Sequence, residues 1–173
     1  MIPRTIYHKT SSVFDVERLK SDFERIEGLM DGRQLCLTSR PGAENPLTDG
    51  VGWYEGSETD FSVFNEEFRW TIFEEFYETA PYRLGRVRLM KMAPRSCYSF
   101  HQDKEPRLHI AIQTNENAYL LVDDDTSLRS WKIKIPANGS VYWVNTQKVH
   151  TALNTDSERF RVHLVANVIV NEK

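Results

Sequence analysis

Two stretches of this chain alternate apolar and polar side chains strictly enough to read as strands, and both carry cations on the polar side. In Arg107-Leu-His-Ile-Ala-Ile-Gln113, Leu108, Ile110 and Ile112 share one face, while Arg107, His109, Ala111 and Gln113 share the other. From Phe160 to Val168, Phe160, Val162, Leu164, Ala166 and Val168 oppose Arg161, His163, Val165 and Asn167. Successive strand side chains point to opposite sides of a sheet, so each stretch has an apolar face and a cationic, hydrogen-bonding one. A polar face ordinarily meets water. In a barrel covered outside by helices the same face points inward instead, where Arg and His line a cavity suited to an anion.

The remaining patterning supplies such helices. Val16, Leu19, Phe23, Ile26 and Met30 recur at three- and four-residue steps, which predicts a helix with Ser12 and Asp15 as capping box and Asp31-Gly32 as its end. A second helix is expected from about Ser62 to Thr79, with Phe64, Phe68, Ile72, Phe73 and Phe76 on one face and Ala80-Pro81 as its stop. Between them lies Thr38 to Phe61, rich in Pro, Gly and acidic residues; a loop that long inside a compact domain is often a lid or binding loop. Trp53 and Tyr54 within it either cover a ligand or pack the loop onto the domain.

After Tyr82 the pattern turns to strands: Arg86 to Met92, Arg107 to Thr114, Ala118 to Val122, Ser130 to Ile135, Ser140 to Asn145 and Phe160 to Val170. Turn signals such as Pro94-Arg95-Ser96, the acidic Asp123-Asp124-Asp125 and Pro136-Ala-Asn-Gly139 separate them. Helices first and short strands afterwards predict one α+β domain over residues 1–173. Its first part (1–81) is mainly helical support and a substrate loop, and the β core follows (82–173) with the helices on its outer face.

Charge and cysteine usage narrow the partners. The formal net charge is −3, with Lys and Arg scattered rather than massed, so no nucleic-acid partner is expected. No apolar run is long enough to span a bilayer, and Met1 to Thr5 lacks the apolar stretch of a signal peptide. Cys36 and Cys97 form no CxxC pair. The expectation is a cytoplasmic protein with reduced thiols and no membrane partner.

Against this background His101-Gln-Asp103 stands out. On an extended segment, side chains two apart point the same way, so imidazole and carboxylate can grip one ion together. Of the remaining histidines, His8 lies near the chain end and is discounted, whereas His150 follows the strand Ser140 to Asn145 in the last part of the β region. His101, Asp103 and His150 would form a two-His-one-carboxylate set, which suits non-haem Fe(II) and leaves positions open for substrate and O2. Arg161 follows a short way beyond, on the polar strand face, and offers a bidentate fork for a dicarboxylate co-substrate. Asn145 and Asn154, flanking His150, either fix its ring or satisfy turn backbone. Trp143 is a pocket wall or core, and His163 a cavity residue or a structural one.

A cupin-like metal or small-ligand binding protein without turnover would need the same three ligands, as would a metal-dependent isomerase or lyase. Neither gives a reason for Arg161, Arg107 and His109.

From Arg86 to Val168 the chain resembles the aspartyl/asparaginyl β-hydroxylase family of Fe(II)/2-oxoglutarate oxygenases, including its bacterial free-proline hydroxylase relatives. The stretches that carry the resemblance are Arg88-Leu-Met-Lys-Met-Ala-Pro94, His101-Gln-Asp103, Arg107 to Asn115, Gly139-Ser-Val-Tyr-Trp-Val-Asn145, His150-Thr-Ala-Leu-Asn154 and Phe160 to Val165. The resemblance implies a jelly-roll, a double-stranded β-helix with iron at its open end. It implies that Arg161 binds the distal carboxylate of 2-oxoglutarate and that Arg107 and His109 line the co-substrate pocket. It further implies hydroxylation of a small-molecule or peptide substrate, an amino acid or amino-acid residue, with release of succinate and CO2. Animal members can lack the carboxylate ligand; this chain keeps Asp103. Residues 1–81 carry no such resemblance.

Overall fold

The computed structural model describes residues 5–124 and 129–170. Fourteen elements follow in order: β1 (Tyr7–Val13), α1 (Val16–Ile26), β2 (Gln34–Cys36), β3 (Thr38–Ser39), β4 (Val63–Phe64), α2 (Ile72–Thr79), β5 (Leu84–Met92), β6 (Ser96–Cys97), β7 (Arg107–Gln113), β8 (Ala118–Asp124), β9 (Arg129–Ile133), β10 (Ser140–Val144), β11 (His150–Asn154) and β12 (Arg161–Val168). A six-stranded sheet runs β1-β10-β7-β12-β5-β2, a four-stranded sheet runs β6-β11-β8-β9, and β3 pairs with β4. Every pairing between these strands is antiparallel.

Two apolar clusters separate the layers. On one face of the six-stranded sheet, Leu108, Ile110, Ile112, Val162, Leu164 and Ala166 pack with Leu19, Phe23 and Ile26 of α1 and Phe73 and Phe76 of α2. On its other face, Met92, Ala111 and Val144 meet Leu120, Val122, Ile133 and Ala152 of the four-stranded sheet. The result is a jelly-roll-like sandwich with helices on its outer side. The polar faces of β7 and β12 therefore turn toward the second sheet, not toward water.

Several elements differ from the sequence expectation. The first third is not purely helical: β1 and β2 form the two edges of the large sheet, and half-buried His8 stacks on Trp143 with centroids 5.2 Å apart, so it belongs to an ordered strand. Trp143, 3% exposed, is core. The cap of α1 is Asp15, whose carboxylate accepts from the Arg18 N–H at 2.9 Å, and not a Ser12 box. The second helix begins only at Ile72, because Trp70 sits at φ 65 and interrupts the turn. Asp22 of α1 accepts from the Ile72 N–H at 2.7 Å and so caps the neighbouring helix. Phe64 and Phe68, from β4 and a 3-10 turn, still join the expected apolar cluster.

The acidic turn expected at Asp123-Asp124-Asp125 ends β8, where Ser130 donates to Asp123 at 2.6 Å; Asp125 lies outside the described residues. Cys36 and Cys97 are free thiols. No helix among the described residues is long and apolar enough to cross a membrane.

Gly139 joins the start of β10 to the end of β1. Its carbonyl accepts from the Phe14 N–H at 2.9 Å, its φ is +75, and a Cβ there would collide with the Phe14 carbonyl oxygen. Gly139→Ala is expected to cost about 2–4 kcal/mol and to lower Tm by roughly 5–10 °C, measured by thermal unfolding.

Candidate active site

A cavity of about 430 Å³ opens between the two sheets. Arg86 and Arg88 of β5, Arg107 and His109 of β7, and Arg161 and Asn167 of β12 line it from the large sheet, while His150 and Ala152 of β11 line it from the small one. His101 and Asp103 enter from the segment between β6 and β7.

That segment is laced to the turn before β11. His101 and His150 exchange backbone hydrogen bonds of 3.0 and 2.9 Å, and the Asp103 N–H reaches the Thr146 carbonyl at 2.9 Å. Thr146 Oγ1 donates to the Glu105 carbonyl at 2.7 Å, and Gln147 Nε2 to the Lys104 carbonyl at 2.7 Å. The two imidazoles thus become cross-strand neighbours, with ring centroids 4.3 Å apart. Ligand atoms of His101, Asp103 and His150 all lie within 4.8 Å of one another.

The protons on the rings follow from their partners. His101 Nδ1 lies 2.8 Å from the Ser99 carbonyl and His150 Nδ1 lies 2.9 Å from the Lys148 carbonyl. A carbonyl only accepts, so Nδ1 carries the hydrogen and the neutral rings present bare Nε2 atoms. These atoms lie 3.9 and 3.4 Å from Asp103 Oδ1 and Oδ2. Arg107 Nη2 donates to Oδ1 at 2.6 Å, which leaves buried Oδ2 without a donor. Burial alone would push the Asp103 carboxyl up; the Arg107 charge opposes this, and the carboxyl lies below its ordinary value.

Arg161 is 4% exposed, and among the described residues its one hydrogen bond is to His163 Nδ1 at 3.0 Å. Among the described residues no carboxylate lies within ion-pair distance of it. Burial lowers its pKa to about 10, so it stays charged at neutral pH. His109 is buried, and neither ring nitrogen has a hydrogen-bond partner among the described residues. Arg107 serves the cavity and the Asp103 carboxylate together, a double duty beyond the pocket-lining role expected for it.

Other expectations resolve as structure. Asn154 donates to the carbonyls of Met92, Ala93 and Arg159, so it ties turns together and does not touch His150. Asn145 anchors the chain through its backbone to Ile6, and no hydrogen bond joins it to His150. Trp53 and Tyr54 divide: Trp53, 86% exposed, stands at the cavity mouth, whereas the Tyr54 hydroxyl donates to Glu58 at 2.9 Å beneath it.

Sequence reasoning missed the cluster of Arg86, Arg88, Glu58 and Asn167. Arg86 pairs with Glu58 at 2.8 Å, both nearly fully buried, and Asn167 Nδ2 donates to the same carboxylate at 2.6 Å. The signal was present, since Arg86-Val-Arg88-Leu-Met90 alternates as β7 and β12 do. Glu58 had none, because it reaches the sheet from a single 3-10 turn (Glu58–Asp60) within the long loop. It does so over Gly85, where a Cβ would meet Glu58 atoms at 2.6–2.8 Å.

Glu58→Gln leaves Arg86 as a buried cation without its counter-charge and is expected to cost about 3–5 kcal/mol in urea unfolding. His109 and His163 are held well below their ordinary value of 6.5, first by burial and then by the Arg161 charge. The unfolded chain takes up these protons near pH 6.5 and the folded chain does not, so stability is full above that pH and falls below it. Urea unfolding between pH 7.5 and 5 is expected to show this decline, less steep in His163→Asn; an equal slope contradicts the assignment.

No family model and no curated protein matches the chain. Solved structures do. An oxidoreductase of the 2OG-Fe(II) oxygenase family from Burkholderia pseudomallei is similar over 94% of this chain and 83% of its own, with 16% identity and a TM-score of 0.58. A Pseudomonas putida prolyl-4-hydroxylase is similar over 96% and 94%, with 9% identity and a TM-score of 0.56. A viral collagen prolyl hydroxylase from Paramecium Bursaria Chlorella virus-1 is similar over 95% and 91%, with 12% identity and a TM-score of 0.51. At such identities the likeness is one of backbone, and by backbone the chain has the fold of the 2OG-Fe(II) oxygenases.

Proposed function

We propose that this protein is an Fe(II)- and 2-oxoglutarate-dependent dioxygenase that hydroxylates an amino acid or amino-acid residue, of the proline or Asp/Asn type, with release of succinate and CO2. The observation that carries the proposal is the convergence of two bare Nε2 atoms and the donor-free Asp103 Oδ2 at one wall of the cavity. Two imidazoles and one carboxylate fit Fe(II) and leave coordination positions open. His101, Asp103 and His150 would hold the metal, which when bound supplies the redox chemistry that couples 2-oxoglutarate and O2 to the substrate.

The chain's own residues set the stage for that chemistry. The Ser99 and Lys148 carbonyls keep both rings in the tautomer that ligates. Arg107 holds Asp103 ionised and oriented through one oxygen. Arg161, a buried charge with no carboxylate of its own, is matched to the distal carboxylate of 2-oxoglutarate, and neutral His109 offers one donor and one acceptor beside it. Leu120, Met90, Ala152 and Val165 give the cavity apolar walls that limit water. The sandwich corresponds in this reading to a double-stranded β-helix acting as one domain, with the 38–61 loop at the substrate mouth.

A metal-binding protein without turnover would use the same three ligands. A buried, uncompensated Arg161 would then be a cost without a use, and this favours the oxygenase.

The test is 2-oxoglutarate conversion to succinate followed by NMR, with Fe(II), ascorbate, O2 and a panel of amino acids and peptides. Succinate formation stimulated by one panel member is expected, with none in His150→Ala. Arg161→Met is expected to raise the KM for 2-oxoglutarate by about 100-fold, as loss of a buried charge pair does. Wild-type protein that forms no succinate in any mixture overturns the proposal.

A further inference from the structure

The oxygenase reading uses one of the cavity's two uncompensated arginines. Of the four that line it, Arg86 is neutralised by Glu58 and Arg107 by Asp103. Arg88 and Arg161 have no carboxylate within ion-pair distance among the described residues. Glu58 is no partner for Arg88, because its oxygens are taken by Arg86, Tyr54 and Asn167.

Arg88 is held instead by neutral acceptors. Nη1 donates to Gln34 Oε1 at 3.1 Å and to the Gly50 carbonyl at 3.3 Å, and Nη2 donates to Asn167 Oδ1 at 3.3 Å. A guanidinium has five N–H donors. Those left are one on Nη2 and the one on Nε, which is buried without an acceptor. Nε and Nη2 share one edge of the guanidinium, and on that edge the Nε donor is free for an acceptor. The side chain is 3% exposed and lines the cavity, so the neutral acceptors fix a charged fork inside the site.

Register separates this fork from Arg161. Arg88 lies opposite Val165 on β12, and Val165 lies opposite His109 on β7. Arg161 is four residues along β12, about 13 Å at the usual strand rise. A 2-oxoglutarate that keeps its keto-acid end for the metal has a single distal carboxylate and engages one arginine. Arg161 is the freer of the two, since its one hydrogen bond among the described residues is to His163.

We infer that Arg88, positioned by Gln34 and Asn167, anchors a carboxylate of the primary substrate, and that this substrate is a small free acid rather than an internal residue of a peptide. The volume agrees, because about 430 Å³ lies toward the lower end of small-molecule sites and must hold the co-substrate too. The inference rests on the oxygenase reading for the fate of the bound acid, and on Arg88 alone for its binding.

The experiment measures binding by saturation-transfer NMR and calorimetry on the full-length protein with Fe(II), anaerobically, with and without 2-oxoglutarate. The probes are the proteinogenic amino acids, each as free acid and as carboxamide. At least one free acid is expected to bind ten-fold or more tightly than its carboxamide. Arg88→Met is expected to abolish that preference and Arg88→Lys to restore part of it, while 2-oxoglutarate affinity stays within about two-fold and falls only in Arg161→Met. Equal binding of acid and amide by the wild type, unchanged acid preference in Arg88→Met, or no acid bound by 2-oxoglutarate-competent protein overturns the inference. So does loss of 2-oxoglutarate affinity in Arg88→Met with retention in Arg161→Met, since Arg88 is then the co-substrate anchor. If the wild type binds an acid through Arg88 but no 2-oxoglutarate, the acid site stands and the oxygenase reading fails.

Discussion

The ion pair between Arg107 and Asp103, 2.6 Å long, joins the rigid interior of the large sheet to the irregular segment that brings two of the three candidate ligands. Each partner is 12% exposed in its side chain, so the pair lies in the low-dielectric part of the molecule, where an unpaired charge is expensive. Arg107 needs the carboxylate because burial otherwise works against its own charge. Asp103 needs the guanidinium to stay ionised. One oxygen, Oδ1, is committed to this pair, and the other, Oδ2, is left facing His150 Nε2 at 3.4 Å.

The same logic extends over the inner face of the sheet. A jelly-roll with helices on its outside must place the alternate residues of β5, β7 and β12 in its interior, and in this chain those residues are rich in Arg and His. Folding around so much positive charge requires counter-charges or ligands. Glu58 and Asp103 provide the first: Glu58 accepts from Tyr54, Arg86 and Asn167, and Asp103 accepts from Arg107. Arg88 and Arg161 have no such partner among the described residues, and in the proposed reading anions from outside supply it. The helices and the large apolar cluster make this arrangement affordable, because Phe23, Phe73 and Phe76 secure the outer face independently of what the cavity holds.

Much of this was readable in the sequence because strand alternation has a period of two and survives in a single chain. The faces of β7 and β12 emerged from seven- and nine-residue patterns, and the His-x-Asp with a later His and Arg stood out because histidines are few. Short strands left no such mark. β2 has three residues and β11 is a polar pentapeptide, so neither builds a period, although β11 carries His150. The late start of α2 was hidden because Phe64 and Phe68 fit a helical spacing yet reach the same core from a strand and a 3-10 turn. Glu58 was hidden for the opposite reason: a loop acidic residue looks solvated until a sheet arginine is seen beneath it. Of the two roles open to Asn154, the structure shows the backbone one, since side chains four apart on a strand are out of reach of one another.

Whether the three converging ligand atoms bind Fe(II) together with 2-oxoglutarate is the claim on which the account turns. Anaerobic addition of Fe(II) and then 2-oxoglutarate to the protein, followed by visible absorption spectroscopy, tests it directly. A metal-to-ligand charge-transfer band is expected that saturates at one equivalent of each and is lost in Asp103→Ala. Folded, Fe(II)-loaded wild-type protein that gives no band would contradict it.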